Sequence, residues 1–274
     1  MRRLARQRAG AVGGLVVGGL TSVAILAPQL APHGPAVTAF DPYVAPGLLF
    51  TLGTDHLGRD VLSRIVWGAR WSLFIALAAT AAGAPAGALW GLASAWAGGL
   101  VDLVGQRVVD ALLAVPSVAL ALALAAVLGA SFENLILVLA LPILPVAART
   151  VRAMTLSAQA SLHVEAARAT GCSSLRVVLR HVLPATLPTF VVFCSVSVAQ
   201  AVVAEATLSF LGVGAPPEAP SWGGMVTAGV PALEHAPWIA LAPAAAISMT
   251  VLGLHLLGDG LRDLADPRLR DRLE

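Results

Sequence analysis

Six apolar stretches recur along the chain: Ala11–Leu30, Leu73–Ala97, Val108–Leu128, Phe132–Ala148, Thr189–Leu211 and Trp238–Leu257. A helix needs about 20 mostly apolar residues to cross the hydrocarbon core of a bilayer. Lipid offers no partner to an open backbone, so such stretches are confined to helices with satisfied hydrogen bonds. The composition agrees: 58% of the 274 residues are hydrophobic and only 12% are charged, about half the charged share of a soluble chain. Soluble enzymes, disordered tails and nucleic-acid-binding modules are excluded. The fourth stretch is short, carries Pro142 and Pro145 and starts beside Glu133 and Asn134, so a re-entrant hairpin is the alternative there.

The basic start at Arg2, Arg3, Arg6 and Arg8 is shared with secretory signals. The apolar run outlasts a signal core, and Pro28 and Pro32 follow in place of a small-x-small cleavage site. The expectation is a retained anchor.

Charge sets the orientation, because basic residues of short loops collect on the cytoplasmic side. Six crossings with the N-terminus inside place fourteen arginines inside and leave Arg59, Arg64 and Arg70 outside. Both termini are then cytoplasmic. The formal charge of +2 is too balanced to suggest a nucleic acid as partner. Two cysteines, Cys172 and Cys194, make no disulfide framework.

Three loops are large: 31–70 and 212–237 outside, 149–188 inside. In the internal loop, Ser157–Thr170 reads as a helix with Gly171 as its left-handed stop. Ser173 and Ser174 offer caps to a second helix. Leu175, Val178, Leu179 and Val182 recur at i, i+3, i+4 and i+7, the pattern of an amphipathic helix. Pro184 and Pro188 are expected to end it. The result is a helix–turn–helix elbow, serving either as an interfacial anchor or as a docking knob with Glu165 as its charge and Ala166, Ala167, Ala169 and Gly171 permitting close approach.

Glu165-Ala166-Ala167, Gly171 and Leu183-Pro184 resemble the EAA loop of ABC-importer permeases. His181 stands where the general pattern has Ile, and the His-x-Leu-Pro ending looks like the dipeptide/oligopeptide/nickel branch, C-type subunit. The segments LGTDHLGRDVLSRIVWGAR (52–70), LSFLGVGAPPEAPSWGGM (208–225), APWIALAP (236–243) and LLGDGLRDLADPRLR (256–270) resemble the same branch.

The resemblance implies an all-α polytopic membrane protein with six transmembrane helices, a type I ABC-importer permease fold with cytoplasmic EAA coupling helices. Residues 1–50 would hold the N-terminal cytoplasmic tail, the first transmembrane helix and the start of the external segment. Residues 51–274 would form the permease core, with the EAA loop at about 157–188 and a cytoplasmic C-terminal tail. It further implies a bacterial inner-membrane subunit that moves di- or oligopeptides by alternating access. Expected partners are a second homologous permease in a heterodimer, two ABC ATPase subunits, an extracytoplasmic solute-binding protein and membrane lipid. Glu165, Ala166, Ala167, Gly171, His181, Leu183 and Pro184 would couple to the ATPases. ATP and Mg belong to those partners. With no lysine anywhere in the chain, a phosphate-binding G-x-x-x-x-G-K-[ST] loop is impossible here. Nickel or another small solute is the alternative cargo.

Asp55, Arg59, Asp60 and Arg64 alternate in sign at helix-neighbour spacings. They read as a solvated helix leading into the second span or as an external vestibule, with Trp67 and Trp71 as an interfacial belt. Glu205 lies within a span, where an acid is costly and often functional, so it is a candidate for the translocation path or for a structural hydrogen-bonding role. Asp110 reads as a near-surface helix-end charge, Asp259 as a helix terminus, and His255 as a packed or interfacial residue.

Rival classes fare worse. Ser248 and His255 are too far apart for the proton transfer of an intramembrane hydrolase. An ion-coupled secondary transporter calls for inverted repeats, and none is visible. The histidines show no H-x-x-H spacing of a metal site. No cofactor or metal is expected on this chain.

Overall fold

The computed structural model describes residues 2–129, 131–214 and 219–265. Arg268, Arg270, Arg272, Pro216 and Pro217 lie outside the described residues, as do the side chains of Arg2, Arg3 and Arg6. Among the described residues there is no strand. Among the described residues five helices are long and apolar enough to cross a membrane, and a sixth crossing follows if one bent pair forms a single broken span.

The first helix, α1 (Arg2–Ile25), breaks at Leu26, and the short α2 (Ala27–Leu30) follows with Pro28 in its first turn. An irregular segment over 31–60 then leads into α3 (Val61–Ala97), which starts twelve residues earlier than the apolar run suggested. At 37 residues and 1.5 Å per residue, α3 is about 55 Å long. Next come α4 (Gly99–Ala114) and α5 (Ser117–Leu128), meeting at an 87° bend. The expected single span Val108–Leu128 is thus a broken one. Pro116 lacks an N–H and pushes Val115 into extended geometry, which ends a helix.

The fourth span, α6 (Phe132–Gln159), is no hairpin: it runs unbroken through Pro142 and Pro145 for 28 residues. Arg149 and Arg152 therefore sit in a helix, and the connecting loop starts only at Ala160. The elbow consists of α7 (Leu162–Ala169) and α8 (Ser174–Val177). A π-helical turn, Val178–Val182, joins α8 to α9 (Leu183–Phe210). Pro184 and Pro188 do not stop this helix. A proline clashes with the carbonyl four residues back, and the wider π turn just before Pro184 gives that carbonyl room. The short α10 (Trp222–Gly229) and the last helix, α11 (Trp238–Ala265), complete the chain. Asp259 lies inside α11 and not at a terminus.

Contacts between α3 and α6 fix the topology. A Cβ placed on Gly83, Gly87 or Gly91 would stand 2.4, 2.1 and 2.1 Å from the carbonyl oxygens of Ala140, Leu144 and Ala148 respectively. The two backbones therefore touch along a stripe of small residues, in ascending order on both helices, so they run parallel. Trp71 stacks on Phe132 at one end, with ring centroids 4.4 Å apart. At the other end Gln159 Nε2 donates to the Ala95 carbonyl at 3.3 Å. Because α3 and α6 cross in the same sense, α4 and α5 must carry the chain back between them, and the broken pair counts as a crossing.

The first and last helices are antiparallel. Gly10 faces Gly260, and Gly13 lies against the backbone of Gly253 to Leu257. Ala24 packs in one cluster with Val61, and Trp238 bonds Thr54, so the chain-terminal ends of α1 and α11 lie at the same end of the bundle as the elbow. That side is the elbow end; the side holding Val61, Phe132, Phe210 and Trp238 is the far end.

An elbow, a groove and a buried carboxylate

At the elbow end, Val164, Ala167, Val177 and Val182 form a small core with Leu92, Trp96, Ala158 and Cys172 packed against it. Arg168 lies over the Trp96 ring at 5.2 Å. Gly171 carries φ +80°, the left-handed geometry that suits glycine at a helix C-terminus. The sequence reading placed this stop correctly, but the first elbow helix begins at Leu162, separated from α6 by Ala160 and Ser161. Ser173 precedes α8 without a side-chain cap bond.

The exposed face differs from the expected one. Glu165 and Ala166 are exposed, whereas Ala167 turns inward to the core. Leu175 and Leu179, expected to share a stripe with Val178 and Val182, are 68% and 56% exposed. Val177 and Val182 take the buried side instead, since the π turn shifts the register by one residue. With Leu162 at 82%, the elbow has three exposed apolar tips besides the exposed Glu165. His181 is half-buried, 6.3 Å from His163 between ring centroids, and Leu183 and Pro184 lead into the rod of α9.

Ion pairs brace the elbow end. Arg152 holds Asp102 of α4 with two bonds of 2.7 and 2.5 Å, and Ser94 Oγ donates to the same carboxylate at 3.0 Å. Arg149 pairs with Asp110. The polar face of α4 is thus turned onto α3 and α6, while Leu100, Val101, Leu103 and Val104 are exposed on its other face.

The external segment is tightly built and unlike a solvated helix. Gly53 to Asp60 is a loop, and Asp60 caps α3 by accepting from the Ser63 N–H at 3.2 Å. Asp60 also meets His33 Nδ1 at 3.3 Å. Arg64 does not pair with Asp60; its Nε reaches Asp55 at 3.7 Å and its Nη1 donates to the Pro35 carbonyl at 2.9 Å. Asp55 accepts from Arg59 Nε at 2.7 Å and from the backbone of Leu57 and Arg59. Asp55 and Asp60 are 4% and 3% exposed, so neither faces a vestibule. Trp238 ties this segment to α11 by donating to the Thr54 carbonyl at 3.2 Å.

A groove of about 430 Å³ opens between α5, α6, α9 and α11. Its polar wall comprises Ser117, Ser197, Gln200, Thr207 and His255, and no carboxylate or guanidinium lines it among the described residues. Sequence reasoning passed over Ser197, Gln200 and Thr207; their spacing along one apolar span was the available signal. Glu205 belongs to the same helix but not to the groove. It is fully buried, and Ser209 and Ser72 donate to it at 2.8 and 3.4 Å. Ser248 donates to its own helix at Ala244, which leaves the hydrolase reading without support.

Residues 83–271 match the family described as binding-protein-dependent transport system inner membrane component. The chain belongs to that family. Residues 1–46 match the N-terminal TM domain of oligopeptide transport permease C. A protein of Brucella suis biovar 1, provisionally named a peptide transport system permease, is 41% identical over 98% of this chain and 91% of its own length. The glutathione transport system permease protein GsiD of Escherichia coli O1:K1 is 40% identical, covering 98% of this chain and 89% of the relative. Its namesake in Pectobacterium atrosepticum is 37% identical with 98% and 90% covered. The chain is therefore a multi-pass ABC-importer permease of the inner membrane, with the all-helical fold its sequence led one to expect.

Proposed function

We propose that this chain is one of two homologous permease subunits of an ATP-driven importer that carries di- or oligopeptides into the cytoplasm. The elbow end is then cytoplasmic, with both termini. The observation that carries the reading is the elbow itself: a packed helix pair, turned on Gly171, that presents Glu165, Leu162, Leu175 and Leu179 outward and continues through Ser174–Phe210 as one apolar helix. An ATPase subunit with a complementary cleft would grip this knob, and ATP binding there would bias the permease toward one of its two global states. Glu165, Ala166 and Gly171 form the gripped surface, while Ala167, His181, Leu183 and Pro184 set its shape and its junction with α9.

The groove supports the rest of the reading. Its wall offers scattered hydrogen-bonding groups and, among the described residues, no carboxylate or guanidinium, which suits a solute that must pass and not remain bound. The second permease would close its open side, and lipid would cover the outer face of α4. The peptide cargo rests on the names of the relatives, glutathione being itself a peptide. A solute-binding protein docks at the far end; ATP and Mg stay on the ATPases.

The test is a tagged pull-down from mildly solubilised membranes, followed by uptake into vesicles of a labelled dipeptide, glutathione and nickel ion. Wild-type chain is expected to bring down an ATPase, Gly171→Arg is expected to lose it, and peptide uptake is expected to need ATP. Nickel uptake without peptide uptake would move the cargo, and a correctly folded wild type without any ATPase would sink the reading.

A further inference from the structure

The carboxylate of Glu205 is fully buried and takes part in no ion pair among the described residues. Burying such a group is expensive, and only dense hydrogen bonding makes it tolerable. Two serines supply it, Ser72 of α3 and Ser209 of α9, and Ser221, which caps α10, lies beside the same carboxylate. The serines themselves are almost completely buried.

Donors and acceptors run in one direction here. The Trp222 N–H donates to Ser72 Oγ at 3.3 Å, and the Gly224 N–H donates to Ser221 Oγ at 3.1 Å. A hydroxyl has one proton to give, and Ser72 gives its proton to Glu205. The backbone of α10 is thus chained through the Ser72 hydroxyl to a single carboxylate on α9, with the capping Ser221 beside it. Around this chain the packing is close: a Cβ on Gly68 would stand 2.8 Å from the Trp222 ring, and one on Gly223 would stand 2.5 Å from Ala206 Cα. Trp222 Nε1 also donates to the Ile65 carbonyl at 3.0 Å.

Glu205 lies 31 residues beyond Ser174 on the same unbroken helix, about 46 Å along it. We infer that Glu205 is a positioning residue, the pin by which the rod from the elbow carries α10 and the adjoining start of α3 with it, so that a displacement imposed by the ATPases reaches the far end. This rests on the importer reading. An apolar residue would fill the space at less cost, but it would leave the hydroxyls unaimed and α10 free to slide.

The experiment uses the whole importer complex in lipid nanodiscs, with Cys172 and Cys194 replaced by serine. Spin labels go on Phe210→Cys and Val230→Cys, which are 51% and 40% exposed. Their distance is read without nucleotide and with trapped ADP–vanadate. The wild-type distance is expected to stay within about 2 Å between the two states, since α9 and α10 move as one body. With Glu205→Ala it should shift or broaden by more than about 5 Å on trapping, while basal ATP hydrolysis stays within about two-fold. Glu205→Gln, which keeps one acceptor oxygen, should restore most of the wild-type behaviour. A wild-type distance that changes on trapping, or a Glu205→Ala distance that does not, overturns the inference. So does a Glu205→Ala complex that loses basal hydrolysis along with the distance. Should Glu205→Ala fail to assemble, the pair Ser72→Ala and Ser221→Ala takes its place: loosening supports the pin, and wild-type distances overturn it. A wild-type complex that traps no ADP–vanadate would overturn the importer reading, and the pin with it, whereas the failures above leave that reading standing.

Discussion

Asp60 accepts from the first turn of α3, from Ser63 Oγ and from His33, so it caps a membrane helix and anchors a loop with one carboxylate. Asp60→Ala should cost about 1–2 kcal/mol, the upper range for losing a helix cap, and Asp60→Asn distinctly less; melting in detergent would separate the two. Asp55 is the more sensitive position. It holds Arg59 and Arg64 in a nearly dry site, and removing one partner of a buried pair costs about 3–5 kcal/mol. Asp55→Ala should accordingly lower the melting temperature more than Asp60→Ala, and the reverse order would refute this account of the cluster. The alternation of sign over 55–64 was legible in the sequence. The partners were not, because the 31–60 segment folds back and brings His33 and Pro35 to residues some 30 positions away.

At the scale of elements, the contact that decides the fold is a stripe of glycines. Gly83, Gly87 and Gly91 repeat every four residues, a small-xxx-small pattern that allows helices in lipid to touch backbone to backbone and gain by close packing. Gly87→Leu drives a side chain into the Leu144 carbonyl, which is backbone and cannot step aside. A loss of more than about 3 kcal/mol is expected, above the usual range for overpacking, with little folded protein recovered. Ala86→Leu, on an exposed position of the same turn, should be nearly neutral. Equal recovery of the two variants by size-exclusion chromatography would refute the close approach. The pattern was present in the sequence, but which helix faced it was not.

Across the whole molecule, parallel α3 and α6, the returning bent pair and antiparallel α1 and α11 give six crossings with both described ends at the elbow end. Gly171→Arg acts at this scale. No atom lies within 4 Å of a Cβ placed there, so the fold itself loses only the strain of left-handed backbone, about 1–2 kcal/mol. In the proposed importer the long side chain would instead stand in the way of the ATPase that grips the elbow. Melting should shift by a few degrees while the ATPase no longer copurifies; a variant that still copurifies it would remove Gly171 from the gripped surface.

Hydropathy determined the class, the helical fold and the rough places of the spans, though not their ends, because a bilayer admits few solutions for apolar stretches of that length. Local chemistry determined the left-handed stop at Gly171. Three things were left to tertiary structure. The break at Pro116 and the passage through Pro142, Pro145 and Pro184 depended on whether neighbouring geometry could absorb a missing N–H. The exposure of Leu175 and Leu179 followed from a π turn that shifts register without a mark in the apolar pattern. The place of Glu205 away from the groove, among serines of α3, α9 and the cap of α10, came from residues up to about 150 positions apart in the chain, and periodicity carries no information over such separations.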